Sequence, residues 1–179
     1  MPSPIFVTPA FVRTMAAYNG AMNTRLYDAA ARLPDGARRE TRGAFWGSIH
    51  GTLNHVLWAD QLWMSRFDGW EAPKIAQKDS ASLFAEFGAL AQERARADAN
   101  ISAWAAGVDE AWLASNQTWY SGSVGREVTL PRGTLMMHFF NHQTHHRGQA
   151  HAMITAAGEK TGDTDLFLIP EVVAAATKG

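Results

Sequence analysis

The chain reads as an all-α protein, a four-helix bundle with a short irregular hairpin before its last long helix. Three observations predict this. Four long segments return apolar residues at the helical period, only one stretch is strand-like, and 179 residues with 46% hydrophobic content supply one well-buried core but hardly two. Residues 1–179 are therefore expected to form a single domain.

The first helix starts at Thr8-Pro9, an N-cap followed by proline at the first helical position. It keeps its period through Phe11, Met15, Tyr18, Met22, Leu26 and Ala30 until Leu33-Pro34-Asp35-Gly36 stops it. A polar connector, Ala37 to Arg42, leads to a second helix from Ala44 to Phe67, with Ile49, Leu53, Val56, Leu57, Trp63 and Met64 on its apolar side. Asp68-Gly69 ends it, and Pro73 marks a loop. Asp79-Ser80-Ala81-Ser82 offers N-cap chemistry for a third helix that runs through Leu83, Phe84, Phe87, Leu90, Ile101 and Trp104 to Gly107. Its Glu93, Arg94, Arg96 and Asp98 read as a solvated face. Gln117 to Tyr120, the Ser121-Gly122-Ser123 turn and Arg126 to Leu130 form the hairpin. Pro131 opens the fourth helix, Arg132 to Ala157, which Gly158 and Gly162 end; the apolar tail Asp165 to Pro170 is expected to pack rather than hang free.

Composition excludes several functions. With 16 basic and 17 acidic residues the net charge is −1, and neither end carries a basic arm, so nucleic acid is not an expected partner. No segment approaches the roughly 18 uninterrupted apolar residues of a membrane span, and the first residues do not resemble a secretion signal, so a cytoplasmic protein is expected. There is no cysteine, hence no disulfide, thiolate ligand or cysteine nucleophile. Any thiol chemistry must use a thiol that a ligand brings.

Seven histidines fall in two groups, His50 and His55 on the second helix, and His138, His142, His145, His146 and His151 on the fourth. Residues four apart on a helix sit about 40° apart around the axis and one turn apart along it, so His142 and His146 can share a cation. So can His138 and His142, and His145 lies on nearly the same stripe; spacing leaves several pairs open. His50 and His55 are about 140° apart around their helix, so only one can face such a site. His55, among Leu53, Val56, Leu57 and Trp58, lies nearer a core. Each histidine taken alone is more often a hydrogen-bonded core or surface residue than a ligand.

The segment Gly47-Ser48-Ile49-His50-Gly51-Thr52-Leu53-Asn54-His55-Val56-Leu57-Trp58-Ala59-Asp60-Gln61-Leu62-Trp63, followed much later by Asn141-His142-Gln143-Thr144-His145-His146-Arg147-Gly148-Gln149, resembles the DinB family of metalloenzymes, also called the DinB/YfiT-like fold. The resemblance spans essentially the whole chain, including the opening region from Tyr18-Asn19 to Asn23 and the apolar tail. It implies an up-down-down-up four-helix bundle, often a homodimer. It also implies one divalent metal held by His55, His142 and His146, with His138 and His145 beside them.

Three neutral imidazoles suit Zn²⁺, Ni²⁺, Co²⁺, Fe²⁺ or Mn²⁺, zinc or nickel best, and leave a coordination position open for water or a small-molecule substrate. A closed structural zinc site would need a fourth protein ligand, often cysteine. A metal in this setting lowers the pKa of water or holds a thiol as thiolate. The resemblance tilts the choice to the thiol, since related members use mycothiol, bacillithiol or glutathione as cosubstrate. Metal-dependent hydrolysis and a non-catalytic, stress-associated binding bundle are the alternatives. No side chain stands out as the acid or base. Around the ligands, Asp60 is a candidate partner for an imidazole or, more ordinarily, for an interhelical arginine. Arg147 can hold an anionic substrate group or a salt bridge, and Gln149 and Asn54 can fix the motif's geometry. Trp58, Trp63 and Trp119 can wall a pocket or simply pack.

Overall fold

A computed structural model of the protein describes residues 7–177. Among these residues the fold is mostly helical, and four long helices dominate it: α1 (Pro9–Arg32), α3 (Ile49–Phe67), α4 (Phe87–Gly107) and α6 (Arg132–Ala156). Short helices α2 (Asp35–Arg39), α5 (Glu110–Ala114) and α7 (Pro170–Thr177) connect or extend them. Both α1 and α3 pack against α4 and α6, so the four long helices enclose a shared interior. The hairpin is regular: β1 (Asn116–Ser121) and β2 (Arg126–Pro131) pair antiparallel from Asn116↔Pro131 to Ser121↔Arg126.

The first helix begins as its sequence dictates, with Thr8 Oγ1 accepting from Phe11 N at 3.2 Å. Its buried face holds the expected Met22, Leu26 and Ala30 and adds Val12, Ala16, Asn19 and Asn23, while Phe11 stays at the rim with its ring edge against Phe140. The second long helix starts at Ile49 rather than Ala44. Gly43 and Gly47 adopt left-handed φ of 74° and 78°, and a bridge between Ala44 and Gly47 closes a loop there instead. Ser48 then caps α3 by accepting from Gly51 N at 3.0 Å. The third begins at Phe87, because Gln77–Ser82 forms a 3₁₀ turn laid across α3. The tail is helical from Pro170; Ile169 and Val172 pack against Met22, whereas Phe167 and Leu168 remain exposed.

Two apolar clusters fill the interior. One gathers Val12, Met64, Phe67, Ile101, Leu135, Phe139 and Phe140, with Trp104 and Trp112 against it. The other gathers Leu26, Leu33, Ile49, Leu53, Leu57, Leu90, Met153 and Ile154. Along each long helix the residues between the two are polar and buried: Asn19 and Asn23, Asp60, Arg94, and Gln143 with His146. Arg94 therefore belongs to the interior, not to a solvated face. Its Nη1 lies 2.6 Å from Asp60 Oδ2 and its Nη2 2.7 Å from Asp98 Oδ1, while Gln143 and Asn23 donate to the same two carboxylates at 2.8 and 2.9 Å.

Gly51 marks the tightest backbone approach. A Cβ there would stand 2.4 Å from the Trp46 carbonyl oxygen, closer than any real contact. Gly51→Ala is expected to push the 43–47 loop outward and cost about 1–3 kcal/mol, read as a lowered Tm with an altered tryptophan emission spectrum.

Candidate metal centre

Three side chains of α3 hold the 75–84 loop in place. Asn54 Oδ1 accepts from Phe84 N at 2.7 Å, and Asn54 Nδ2 donates to the His50 carbonyl at 3.0 Å. His50 Nε2 donates to the Phe84 carbonyl at 2.9 Å, and Trp58 Nε1 to the Ile75 carbonyl at 3.0 Å. The loop thus fixed delivers Ser80, fully buried, to His55: Ser80 Oγ lies 2.8 Å from His55 Nδ1. With Nδ1–H donated there, Nε2 of His55 keeps its lone pair and points across to α6.

On α6 two imidazoles meet it. His55 Nε2 and His142 Nε2 are 3.3 Å apart, and one nitrogen from each of His55, His142 and His146 falls within a 4.8 Å group. His146 Nδ1 donates to Gln149 Oε1 at 2.8 Å, which leaves Nε2 of that ring with its lone pair free. Gln149 Nε2 in turn sits 3.3 Å from His145 Nε2. A spacing of 3.3 Å is a weak N–H···N bond, and it also matches the roughly 3.3 Å between two nitrogens held tetrahedrally at bonds of about 2.0–2.1 Å. The third convergent imidazole and the outer partners on Nδ1 favour the second reading, because metal-binding histidines are oriented in this way. The residues present fit a divalent metal.

The remaining candidates separate by position. His138 lies edge-on to Trp63, 5.2 Å between centroids, and outside the three-histidine group. His145 is exposed beside His146, 4.8 Å between centroids. Asp60 bonds Arg94 and Gln143, and no imidazole, so it acts between helices. His50 serves the Phe84 carbonyl instead of the centre. Arg147, adjacent in sequence, points to a different cavity. Two contacts had no sequence-level reading. Trp46 lies flat on His55, 3.9 Å between centroids at 20°, and Ser80 was legible only as a helix cap.

One side of the centre is open. A cavity of 740 Å³ reaches His142 and is walled by Trp58, Trp63 and Trp119, with Arg66 and Lys78 among its lining. Arg66 stacks on Trp63, its guanidinium carbon 4.5 Å from the ring centre. The tryptophans thus form a wall, not only a core.

Burial, reinforced by neighbouring imidazoles, pulls both His55 and His142 down to about 3, and burial lowers His146 as well. All three are neutral at physiological pH, the form a metal requires. At His55 and His142 the unfolded chain binds protons from about 6.5 downward while the fold resists them until about 3. In that window the unfolded state holds more protons, so stability rises with pH. Chelator-treated protein is expected to lose Tm steadily as pH falls from 6.5 toward 3, with a shallower slope in His142→Gln.

No helix among the described residues is long and apolar enough to cross a membrane. No curated relative and no solved structure shows significant similarity to the chain. The model of one family does match, over residues 5–175 and therefore almost end to end: the chain belongs to the DinB family.

Proposed function

We propose that the chain is a metal-dependent enzyme of up-down-down-up four-helix-bundle architecture, folded as one domain, in which His55, His142 and His146 hold a divalent metal. The reaction is transfer of an external low-molecular-weight thiol to a small electrophile. The observation that carries this reading is the three-imidazole group opening onto the tryptophan-walled cavity. A divalent cation bound there supplies Lewis acidity, which favours the deprotonated form of a thiol or water at its open position.

The chain's own side chains do the rest. Ser80 and Gln149 hold the Nδ1 protons of His55 and His146, fixing the tautomer that presents Nε2. Trp58, Trp63 and Trp119 exclude bulk water from one side and offer apolar faces to the electrophile. Arg66 and Lys78 place positive charge at the same wall, which suits the carboxylates of a peptide-like or sugar-linked thiol. This charge distribution favours the thiol over a neutral ester as substrate, and hydrolysis is the second reading.

The test is a paired screen on tag-free, metal-loaded protein. Conjugation of a chromogenic electrophile with glutathione, bacillithiol and mycothiol is compared with ester and amide hydrolysis. Thiol-dependent turnover that disappears in His142→Ala supports the proposal; hydrolysis alone, or turnover indifferent to His142, overturns it. Gln149→Ala is expected to weaken metal affinity about 10–100-fold while leaving the three ligands in place, measured by competition with a fluorescent chelator.

A further inference from the structure

Helix α6 presents a second chemical face. His142 and His146 look toward α3, whereas Thr144, Arg147, Gly148 and His151 line a separate cavity of 280 Å³ between α6, α1 and the loop after α6. The α1 side contributes Tyr18, Met22, Arg25 and Leu26, and the loop contributes Thr161 and Thr164. None of these ten residues belongs to the cavity at the histidine group.

The cavity wall is built, not a gap left by loose packing. Arg25 Nη1 donates to the Asp163 carbonyl, Tyr18 Oη donates to the Thr164 carbonyl at 2.8 Å, and Thr161 Oγ1 lies 2.9 Å from His151 Nδ1. Gly162, at φ 78°, lets the loop run within reach of Arg25; a Cβ there would stand 3.6 Å from Arg25 Nη1. These bonds seat the loop with Arg25 and His151 as its anchors. Arg147 is not an anchor. Among the described residues its hydrogen bond is a long one, 3.3 Å to Thr144 on its own helix, its guanidinium faces the Tyr18 ring at 5.8 Å, and its buried Nη1 has no partner.

Two arginines and a histidine line the cavity and no carboxylate does. Asp60 and Asp98 attract Arg147 only from a distance, since both pair directly with Arg94, and Glu159 pairs with Arg32. A guanidinium that is 6% exposed, with a nitrogen unbonded and no carboxylate in direct contact, is better satisfied when an anion reaches it. Met22 and Leu26 add an apolar wall opposite the charge. We propose that this cavity is a second binding site, for a small organic anion whose carboxylate or phosphate meets Arg147 and Arg25 and whose short apolar body lies on Met22 and Leu26. At 280 Å³ it is at the small end of ligand pockets, which restricts the occupant to a compact metabolite.

The experiment is calorimetric titration of the full-length, metal-loaded protein with hexanoate, inorganic phosphate and hexanol. Saturable binding of hexanoate or phosphate, weakened at least tenfold in Arg147→Met and in Arg25→Met and unchanged in His142→Ala, supports the site. The stronger of the two anions identifies the headgroup. Arg25→Met, on a partly exposed residue, keeps the test decisive if Arg147→Met fails to fold. Equal binding of hexanol, anion binding unaffected by Arg25→Met, or no saturable anion binding overturns the proposal. Because the His142 variant retains this site, failure here is separable from failure of the metal reading.

Discussion

His142→Ala is expected to give a folded protein that retains less than a tenth of the divalent metal carried by the wild type. The loss should exceed the roughly 10–100-fold that follows removal of an outer hydrogen-bond partner, because a ligand itself is gone. His142 is the cleanest of the three positions to cut. It is only partly buried, whereas His55 also carries the Trp46 stack and the Ser80 bond, and His146 holds Gln149. Removing His55 would mix metal loss with repacking. The measurement is elemental analysis of protein purified without a histidine tag, alongside helical circular dichroism. An unchanged metal content in a folded His142→Ala protein would remove the shared premise of both enzymatic readings.

This choice of residue shows what a single sequence does and does not reveal. The i, i+4 spacing left His138, His142, His145 and His146 in competition, since periodicity reports a face of a helix and not what stands opposite it. Only the packing of α3 on α6 puts His55 Nε2 3.3 Å from His142 Nε2 and leaves His138 against Trp63. Geometry on one helix was more legible: the 140° separation of His50 and His55 required them to serve different partners, and they do.

The polar run Asp79 to Ser82 was misleading for a physical reason. A hydroxyl that caps a helix and one that orients an imidazole are the same residue type, and the Ser80 hydroxyl is turned to His55. Phe45 and Trp46 fall inside the second helix expected from Ala44, yet the glycines at 43 and 47 bend them into a loop that covers His55. The face of α1 was legible at Met22, Leu26 and Ala30 but incomplete, because burial there also takes in Asn19 and Asn23, polar residues that a hydrophobic pattern does not count. The same blindness hid Arg94 among its charged neighbours.

That buried arginine carries the second large effect. Arg94→Met is expected to destabilise the fold by about 3–5 kcal/mol, since it strands the buried Asp60 and the mostly buried Asp98 at once. For a chain of this size that corresponds to a fall in Tm of roughly 6–20 °C, a large share of a typical total stability of about 5–15 kcal/mol. Methionine keeps most of the volume, so the loss reports charge and not a cavity. Two consequences distinguish this from simple repacking damage. Burial already pushes Asp60 and Asp98 upward, and without the guanidinium their protonation becomes the cheaper course. Protonation favours the folded state of the variant at low pH, so its deficit relative to wild type should shrink as pH falls and Asp60 and Asp98, both raised by burial, take up protons. Second, the Arg94→Met, Asp60→Asn, Asp98→Asn triple variant should recover much of the loss, because it replaces an unpaired charge set with neutral groups that Gln143 and Asn23 can still reach. Thermal melts of the single and triple variants across pH decide it. A deficit that is independent of pH and undiminished in the triple variant would mean that Arg94 acts through packing, and the polar layer between the two apolar clusters would lose its role as an ion-paired unit.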